Sequence, residues 1–298
     1  MDYSRRQVLG ALGAGSVLVG GFAVSSGRQR NDVSILAAGS LNDALENGLR
    51  ADVAVPLRVE AHGSARVARL VADEQKDPDI VSVADAALFD SPLDPAWFCE
   101  FATNSLVVAY NPETEGGRRV ADAGSDGWYR SLSDGSVTLG RTDPDLDPLG
   151  YRTLFMLDLA TNHYGTDSDL RTVVPQRSRT YPETRLVSQF ETGSIDAAVT
   201  YRNMAVERGY EYLDLPPEID LSDPRYTDRY ATTSYELPSG KTVRGGVIRY
   251  AATARDRRQS VADVFETHVT GDYLTDFGFA VPNDYPRYTD NVPDAFTD

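Results

Sequence analysis

The chain has 298 residues and a formal net charge of −16 at pH 7, so it is long enough for two modest domains or one bilobal fold. So negative a chain excludes nucleic acid and anionic membrane surfaces from the expected partners. Only two of the 29 basic residues are lysines (Lys76 and Lys241), a composition typical of a halophilic, haloarchaeal protein that is soluble in molar salt.

The N-terminal segment has the pattern of an export signal. Twin arginines, Arg5 and Arg6, precede an apolar run at 10–24 that is rich in glycine, alanine and valine. The run is shorter than the ~20 residues that a membrane-spanning helix usually needs. The sequence therefore predicts a twin-arginine leader at 1–31 and an extracytoplasmic protein at the cell surface, with retention at the membrane by the leader left open.

Strand, turn and helix patterns alternate along the rest of the chain. They predict strands at 33–38, 53–60, 79–84, 101–110, 137–140, 195–201 and 243–252. They predict helices at 41–49, 65–74, 186–191 and 205–208, a helix that begins at Pro148, and a helical pair at 261–277 broken at Gly271. Such alternation predicts parallel sheets with crossover helices, and the segments 212–237 and 282–298 are expected to be irregular.

The long strand at 101–110 is expected to connect two lobes rather than two independent domains. We assign 32–108 and about 248–298 to lobe I, and 109–247 to lobe II. In open parallel sheets, ligands bind beyond the carboxyl ends of the strands, where helix N-termini converge. The strand-to-helix turns are therefore the places where a site is expected.

Three of these turns share one chemistry, and they are Gly39-Ser40, Gly63-Ser64 and Asp147-Pro148. Glycine permits close backbone approach, and a serine hydroxyl beside the free amides of a helix start can bind a small oxyanion without a counter-charge. Each of these side chains taken alone is more often a helix cap than a ligand contact. Asp143 and Asp145, which crowd the third turn, are interpreted as solvated loop residues.

Several short motifs occur in an order that resembles a known family. In chain order they are AGSL at 38–41, HGSA at 62–65, PDIVSVAD at 78–85, FATNSLVVAYNP at 101–112, DPLGYR at 147–152, TGSID at 192–196 and LPPEIDL at 215–221. From about 33 to about 279, the chain resembles the archaeal tungstate/molybdate-binding proteins of ABC transporters, the WtpA/ModA-like extracellular solute-binding family. The resemblance implies an α/β, type II periplasmic-binding-protein fold, in which two lobes enclose a ligand cleft.

The resemblance also implies roles for individual residues. Ser40 and Ser64 match the serine donors of the family, and Asp147 matches an aspartate that coordinates the Mo or W centre of the bound oxyanion together with a glutamate. Thr200 stands where the family has that glutamate. The open outcomes are a carboxylate from elsewhere, a lower coordination number, or a different ligand. Tyr201 is then either a hydroxyl contact to the ligand or a packing residue.

The implied function is the capture of tungstate or molybdate by a monomeric protein, which has no cofactor and delivers the anion to an ABC permease and its ATPase subunit. The alternatives are a binding protein for sulfate or phosphate, a surface-layer protein, and, as the weakest, a hydrolase with Asp147 as base. No G-x-S-x-G, Walker or H-E-x-x-H motif supports an enzyme. His62, His163 and His268 lack metal-ligand spacing, and the single cysteine, Cys99, is expected to be buried and inert.

Overall fold

The computed structural model describes residues 32–238, 240 and 242–296, and the predicted leader at 1–31 lies outside the described residues. Within the described ranges, no helix is both long enough and apolar enough to cross a membrane. The strands are β1 Val33–Ala38, β2 Leu57–His62, β3 Ile80–Val83, β4 Cys99–Asn104, β5 Leu106–Tyr110, β6 Leu139–Arg141, β7 Arg179–Thr180, β8 Ala197–Tyr201, β9 Glu211–Asp214, β10 Ser234–Glu236, β11 Thr242–Arg244, β12 Ile248–Ala254 and β13 Arg287–Tyr288. The α-helices are α1 Arg50–Asp52, α2 Ser64–Ala72, α3 Glu115–Ala123, α4 Trp128–Asp134, α5 Pro148–Tyr164, α6 Leu170–Arg177, α7 Glu183–Glu191, α8 Arg202–Glu207, α9 Thr227–Tyr230, α10 Gln259–Thr270 and α11 Tyr273–Asp276. Short 3₁₀- or π-helical segments lie at Gly39–Leu41, Ala44–Leu49, Phe89–Leu93, Pro224–Tyr226 and Asp294–Phe296.

Two mixed sheets form the frame of the molecule. The first sheet has the strand order β13-β4-β12-β3-β1-β2, and the second has the order β7-β6-β8-β5-β9. β1 is parallel to β2 and β3, and β6 is parallel to β7 and β8, as the alternation of strands and helices predicts. β12 is antiparallel to β3 and β4, and β5 is antiparallel to β8 and β9. The expected parallel pairs with crossover helices are therefore present, and antiparallel strands that the sequence analysis did not predict are added to both sheets.

The chain first passes between the two sheets at Ser105. β4 and β5, on either side of this residue, belong to different sheets, so the predicted long strand is two strands. Leu106 N donates a hydrogen bond to Asp220 O (2.9 Å), and Ile248 N donates one to Leu221 O (2.9 Å). The outgoing and returning connections between the sheets therefore lie side by side.

Other differences from the predicted elements have local causes. α3, α4 and α6 have no counterpart in the predicted pattern, because α3 contains two adjacent glycines and α6 contains Pro175, both poor helix formers. β2 begins at Leu57 because Pro56 cannot donate a ladder hydrogen bond. The segment 212–237 contains α9, β10 and most of β9, and the segment from 282 onwards contains β13, so neither is irregular throughout. The helical pair at 261–277 is confirmed as α10 and α11.

The buried thiol and one buried imidazole are packing groups. Cys99 is fully buried, and burial raises the pKa of its thiol, so its expected inertness is confirmed. His268 is fully buried between Ser82 Oγ (2.9 Å from Nε2) and Tyr273 Oη (2.8 Å from Nδ1). Burial lowers the pKa of His268 to about 3, so the imidazole is neutral under all ordinary conditions.

Asp220 makes the stability of the connection between the sheets depend on pH. The residue is 7% exposed, and burial, the largest influence, raises its pKa to about 7 although Ser222 donates hydrogen bonds to it. A raised carboxyl pKa means that the folded state holds the proton more tightly than the unfolded chain does. The stability that protonated Asp220 contributes to the folded state is therefore fully present below a pH of about 4 and is lost as the pH rises through about 7.

Asp220→Asn should consequently gain stability relative to the natural chain as the pH rises from about 4 to about 7. The difference in the free energy of unfolding should change by at most about 1.4 kcal/mol per pH unit, and by at most about 4 kcal/mol over the whole range. Denaturant unfolding of both chains at constant molar salt measures this difference, because the other titrating groups cancel. A difference that does not vary with pH would show that Asp220 is not held protonated.

Candidate functional site

The start of α5 places the Asp147 carboxylate over the first turn of the helix. Asp147 is the N-cap residue, its Oδ1 accepts a hydrogen bond from Leu149 N (2.8 Å), and Pro148 takes the first helical position, as the sequence predicts. Gly150 allows this turn to approach the preceding loop, because a Cβ there would lie 2.5 Å from the carbonyl carbon of Asp143. The position of Asp147 is therefore fixed by its local sequence.

The two other carboxylates of this loop stabilise the loop itself. Asp143 Oδ1 accepts a hydrogen bond from Asp145 N (3.0 Å), and Asp143 O accepts one from Asp147 N (2.9 Å). Asp145 Oδ1 accepts a hydrogen bond from the Tyr235 hydroxyl (2.7 Å), which ties the loop to the hairpin of β10 and β11. All three carboxylates thus have a structural partner, and Asp147 is distinguished by the raised pKa that burial gives it and by the nearby charge of Arg152.

A buried polar network positions the turn that contains Ser40. Ser40 Oγ is hydrogen-bonded to Tyr250 Oη (2.9 Å), and Ser40 O accepts a hydrogen bond from Asn203 Nδ2 (2.7 Å). Asn104 Nδ2 donates to both Tyr250 Oη (3.1 Å) and Asn203 Oδ1 (2.7 Å). Asn104, Asn203 and Tyr250 are buried, while Ser40 is half-buried. Ser40 is therefore the accessible end of a network that joins β1, β4, α8 and β12.

Ser64 ties the first turn of α2 to the end of β3. Its Oγ accepts a hydrogen bond from Ala84 N (3.0 Å), and Gly63 rather than Ser64 is the N-cap residue of α2. Helix capping therefore does not explain this serine. Because Ser64 Oγ accepts the bond, its own proton remains available to a ligand. Asp85 follows Ala84 directly, so the same strand end also carries a carboxylate.

Arg152 is a member of the site that the pattern of turns does not predict. Its Nη1 donates a hydrogen bond to Tyr201 Oη (2.6 Å), and its guanidinium carbon lies 5.7 Å from the centre of the Tyr201 ring. Arginine has no acceptor atom, so Tyr201 must accept this bond and its own proton is directed elsewhere. The Tyr201 hydroxyl can therefore donate to a ligand, while its ring packs against the core, so both roles expected of it are compatible with the structure.

Electrostatic coupling connects these groups across the two sheets. Burial raises the pKa of Asp147, while a backbone amide and Arg152 oppose the rise. Burial raises the pKa of Tyr201, with Arg152 opposing and Tyr250 and Asp147 reinforcing the rise. Burial lowers the pKa of Arg152, but Tyr201 and other neighbours that include Asp85 outweigh it, so the guanidinium stays charged. Groups from both sheets therefore act on one another at one place.

Indirect links connect four of the five predicted site residues. Asp147 and Tyr201 both feel the charge of Arg152, and Tyr201 also feels Tyr250, the partner of Ser40. Ser64 bonds the backbone beside Asp85, which acts on the pKa of Arg152. The two serines come from the first sheet and its helices, and Asp147 and Tyr201 come from the second. Most of the polar groups here are hydrogen-bond donors, namely hydroxyls, the guanidinium of Arg152 and the free amides at the start of α5, and Asp147 adds a carboxylate acceptor. No three His, Cys, Asp or Glu side chains cluster as a free-metal site in the part of the chain that the structure describes. This set of groups suits a small oxyanion.

The Thr200 hydroxyl is directed away from this site. Its Oγ1 donates to Met204 Sδ (3.8 Å), and Thr200 is buried against an apolar cavity that Leu186 and Phe190 also line. Thr200 and Tyr201 are neighbours in β8, and neighbouring residues of a strand face opposite sides of the sheet. The structure therefore does not bring the Thr200 hydroxyl together with the other predicted residues.

Comparison with known proteins identifies the family. The family model described as bacterial extracellular solute-binding protein matches residues 33–274. The chain belongs to this family. This solute-binding protein is 53% identical over 295 residues to a Haloferax volcanii protein named as a molybdenum-binding protein of an ABC transporter. The match covers 97% of this chain and 96% of the relative. It is 30% identical over 282 residues to the molybdate/tungstate-binding protein WtpA of Pyrococcus abyssi, with 83% of this chain and 79% of the relative covered.

A solved structure confirms the fold of the solute-binding protein. The substrate-binding domain named for a molybdenum ABC transporter of Clostridium difficile superposes with a TM-score of 0.56 at 14% identity, covering 84% of this chain and 99% of that domain. At this identity the likeness concerns the fold alone. The type II periplasmic-binding-protein fold expected from the sequence is thereby confirmed.

Thr200→Val should leave the ligand affinity of the solute-binding protein within about twofold of the natural value, because the lost hydroxyl bonds Met204 outside the site. Titration calorimetry with tungstate in molar salt measures the affinity. Tyr201→Phe is the matched comparison, since it removes a hydroxyl from the next residue of the same strand. A large loss of affinity in Thr200→Val would place Thr200 in the site after all.

Proposed function

We propose that this solute-binding protein captures tungstate or molybdate outside the cytoplasm and delivers the anion to an ABC importer. The observation that carries the proposal is the position of Asp147, a carboxylate at a helix N-terminus with hydroxyl and guanidinium donors around it. The two relatives named for molybdenum or tungstate support this class of ligand.

The chemistry of a carboxylate beside a dianion narrows the ligand. Such a pair is repulsive unless the carboxyl group is protonated or bonded to the central atom of the anion. The Mo or W centre of molybdate or tungstate can accept a carboxylate oxygen as an additional ligand, whereas the sulfur of sulfate cannot. Asp147 Oδ1 accepts the Leu149 amide, which leaves Oδ2 for the metal centre. The serine and Tyr201 hydroxyls then donate to the oxygens of the anion.

Sulfate or phosphate is the second candidate, and one feature of the site favours it. Burial raises the pKa of Asp147, and a protonated carboxyl group donates a hydrogen bond to an anion oxygen rather than coordinating a metal. The Thr200 hydroxyl bonds Met204, so it does not join Asp147 as a second protein ligand of a Mo or W centre. The response of Asp147 variants to tungstate and to sulfate separates the two candidates.

The transport role follows from the same site. The two sheets form the cores of two lobes, and closure of these lobes about the hinge at Ser105 encloses the anion. The closed, monomeric protein then docks on a membrane permease. Energy for transport comes from the partner ATPase, because the sequence holds no nucleotide-binding motif, and the binding protein itself has no catalytic role. Export through the twin-arginine pathway would deliver the folded chain to a haloarchaeal cell surface.

Calorimetric titration of tungstate, molybdate and sulfate in molar salt tests the proposal. The natural chain should bind tungstate and molybdate at least about 100-fold more tightly than sulfate. Asp147→Ala should lose at least about 100-fold in tungstate affinity and change sulfate binding only a few-fold, because only the metal oxyanion gains a carboxylate ligand. Asp145→Ala is the control, since that carboxylate bonds Tyr235 in the loop.

Two results would contradict the proposal in different ways. Equal binding of sulfate and tungstate, with equal losses in Asp147→Ala, would favour the second candidate. No binding of any of the three anions by the folded natural chain would remove the oxyanion function.

A further inference from the structure

Arg152 carries a positive charge that no carboxylate neutralises by direct contact. It lies near the start of α5, half-buried, and its guanidinium donates to the Tyr201 hydroxyl. Among the described residues, no carboxylate oxygen lies within 4.0 Å of this guanidinium. Arg171 is different, since it is similarly half-buried but pairs with Asp158 (3.2 Å). A partly buried charge is costly unless an opposite charge neutralises it, so the guanidinium of Arg152 is suited to pair with an anion.

Two carboxylates are near enough to act on Arg152 without pairing with it. Asp85 at the end of β3 contributes to the raised pKa of Arg152, and Arg152 in turn acts on the pKa of Asp147. Two negative side chains and one positive side chain therefore influence one another here. Without the guanidinium, only the two carboxylates would remain. The charge balance of the site thus depends on Arg152.

We propose that Arg152 is the residue that makes the site select divalent over monovalent oxyanions. This inference rests on the proposed function, because it concerns the same anion site. The guanidinium supplies the counter-charge, and its hydrogen bond to Tyr201 Oη directs the tyrosine proton towards the anion. A tetrahedral anion of the same size but half the charge gains less from both contacts.

Tungstate and perrhenate are the probes. Both are tetrahedral metal oxyanions of similar size, but tungstate carries two negative charges and perrhenate carries one. Arg152→Gln removes the positive charge and retains a donor for Tyr201, whereas Arg152→Lys retains the charge. Arg152→Gln should lower tungstate affinity about 100-fold and perrhenate affinity about tenfold or less, so the ratio of the two affinities falls about tenfold or more. Arg152→Lys should keep this ratio within about threefold of the natural value.

Arg171→Gln is the matched control, since it neutralises a half-buried arginine of the same lobe that is paired with Asp158 outside the site. It should leave both affinities within about twofold of the natural values. Calorimetry at constant molar salt gives the affinities, and circular dichroism verifies that each variant is folded. If Arg152→Gln does not fold, Arg152→Met supplies a second neutral variant for the same ratio.

An unchanged ratio in the neutral variant would overturn the inference, because a purely structural loss lowers both affinities equally. An equal fall of the ratio in Arg152→Lys would overturn it as well, because that variant keeps the charge. If the natural chain binds sulfate rather than tungstate, sulfate and perchlorate form the equivalent pair of probes. Failure of the natural chain to bind any divalent oxyanion would instead contradict the proposed function.

Discussion

The close approach of Gly150 to the backbone of Asp143 and Pro144 fixes the start of α5, and the rest of the site depends on that start. A Cβ at position 150 would lie 2.5 Å from backbone atoms of both residues. From this fixed turn, the N-cap carboxylate of Asp147 and the guanidinium of Arg152 extend into the site. Six residues of local sequence, from Asp147 to Arg152, thus place both the carboxylate and the cation of the proposed site.

The other half of the site depends on contacts that are remote in sequence. Ser40 is held by Tyr250 and Asn203, and Asn104 donates to both of these residues at the point where the chain leaves the first sheet. Hydrogen bonds therefore link Ser40 to the connection between the sheets. In the proposed complex, an anion that contacts Ser40 on one side and Asp147 on the other would join the two sheets across that connection, as lobe closure requires.

Local patterns predicted the parts of the site that local chemistry determines. Asp147 and Pro148 start α5 as expected, because capping and the fixed φ of proline act within one turn. The network around Asn104 was beyond such reasoning, since Asn104 and Tyr250 are 146 residues apart in the chain. Thr200 stands in the sequence where the family has its glutamate, but side chains alternate along β8 and its hydroxyl bonds Met204 instead. The antiparallel pairings of β5 and β12 join strands that are distant in the chain, so the local hydrophobic pattern of each strand could not predict them.

Tungsten L-edge anomalous diffraction from crystals grown with tungstate tests whether the helix starts of both sheets meet on one anion. We expect a single strong peak between the Asp147 carboxylate and the hydroxyls of Ser40 and Ser64, on the side of β8 that carries Tyr201. This arrangement would be contradicted by a peak in the apolar cavity beside Thr200 or by a peak only on the protein surface. The absence of any peak from crystals grown with saturating tungstate would contradict it as well.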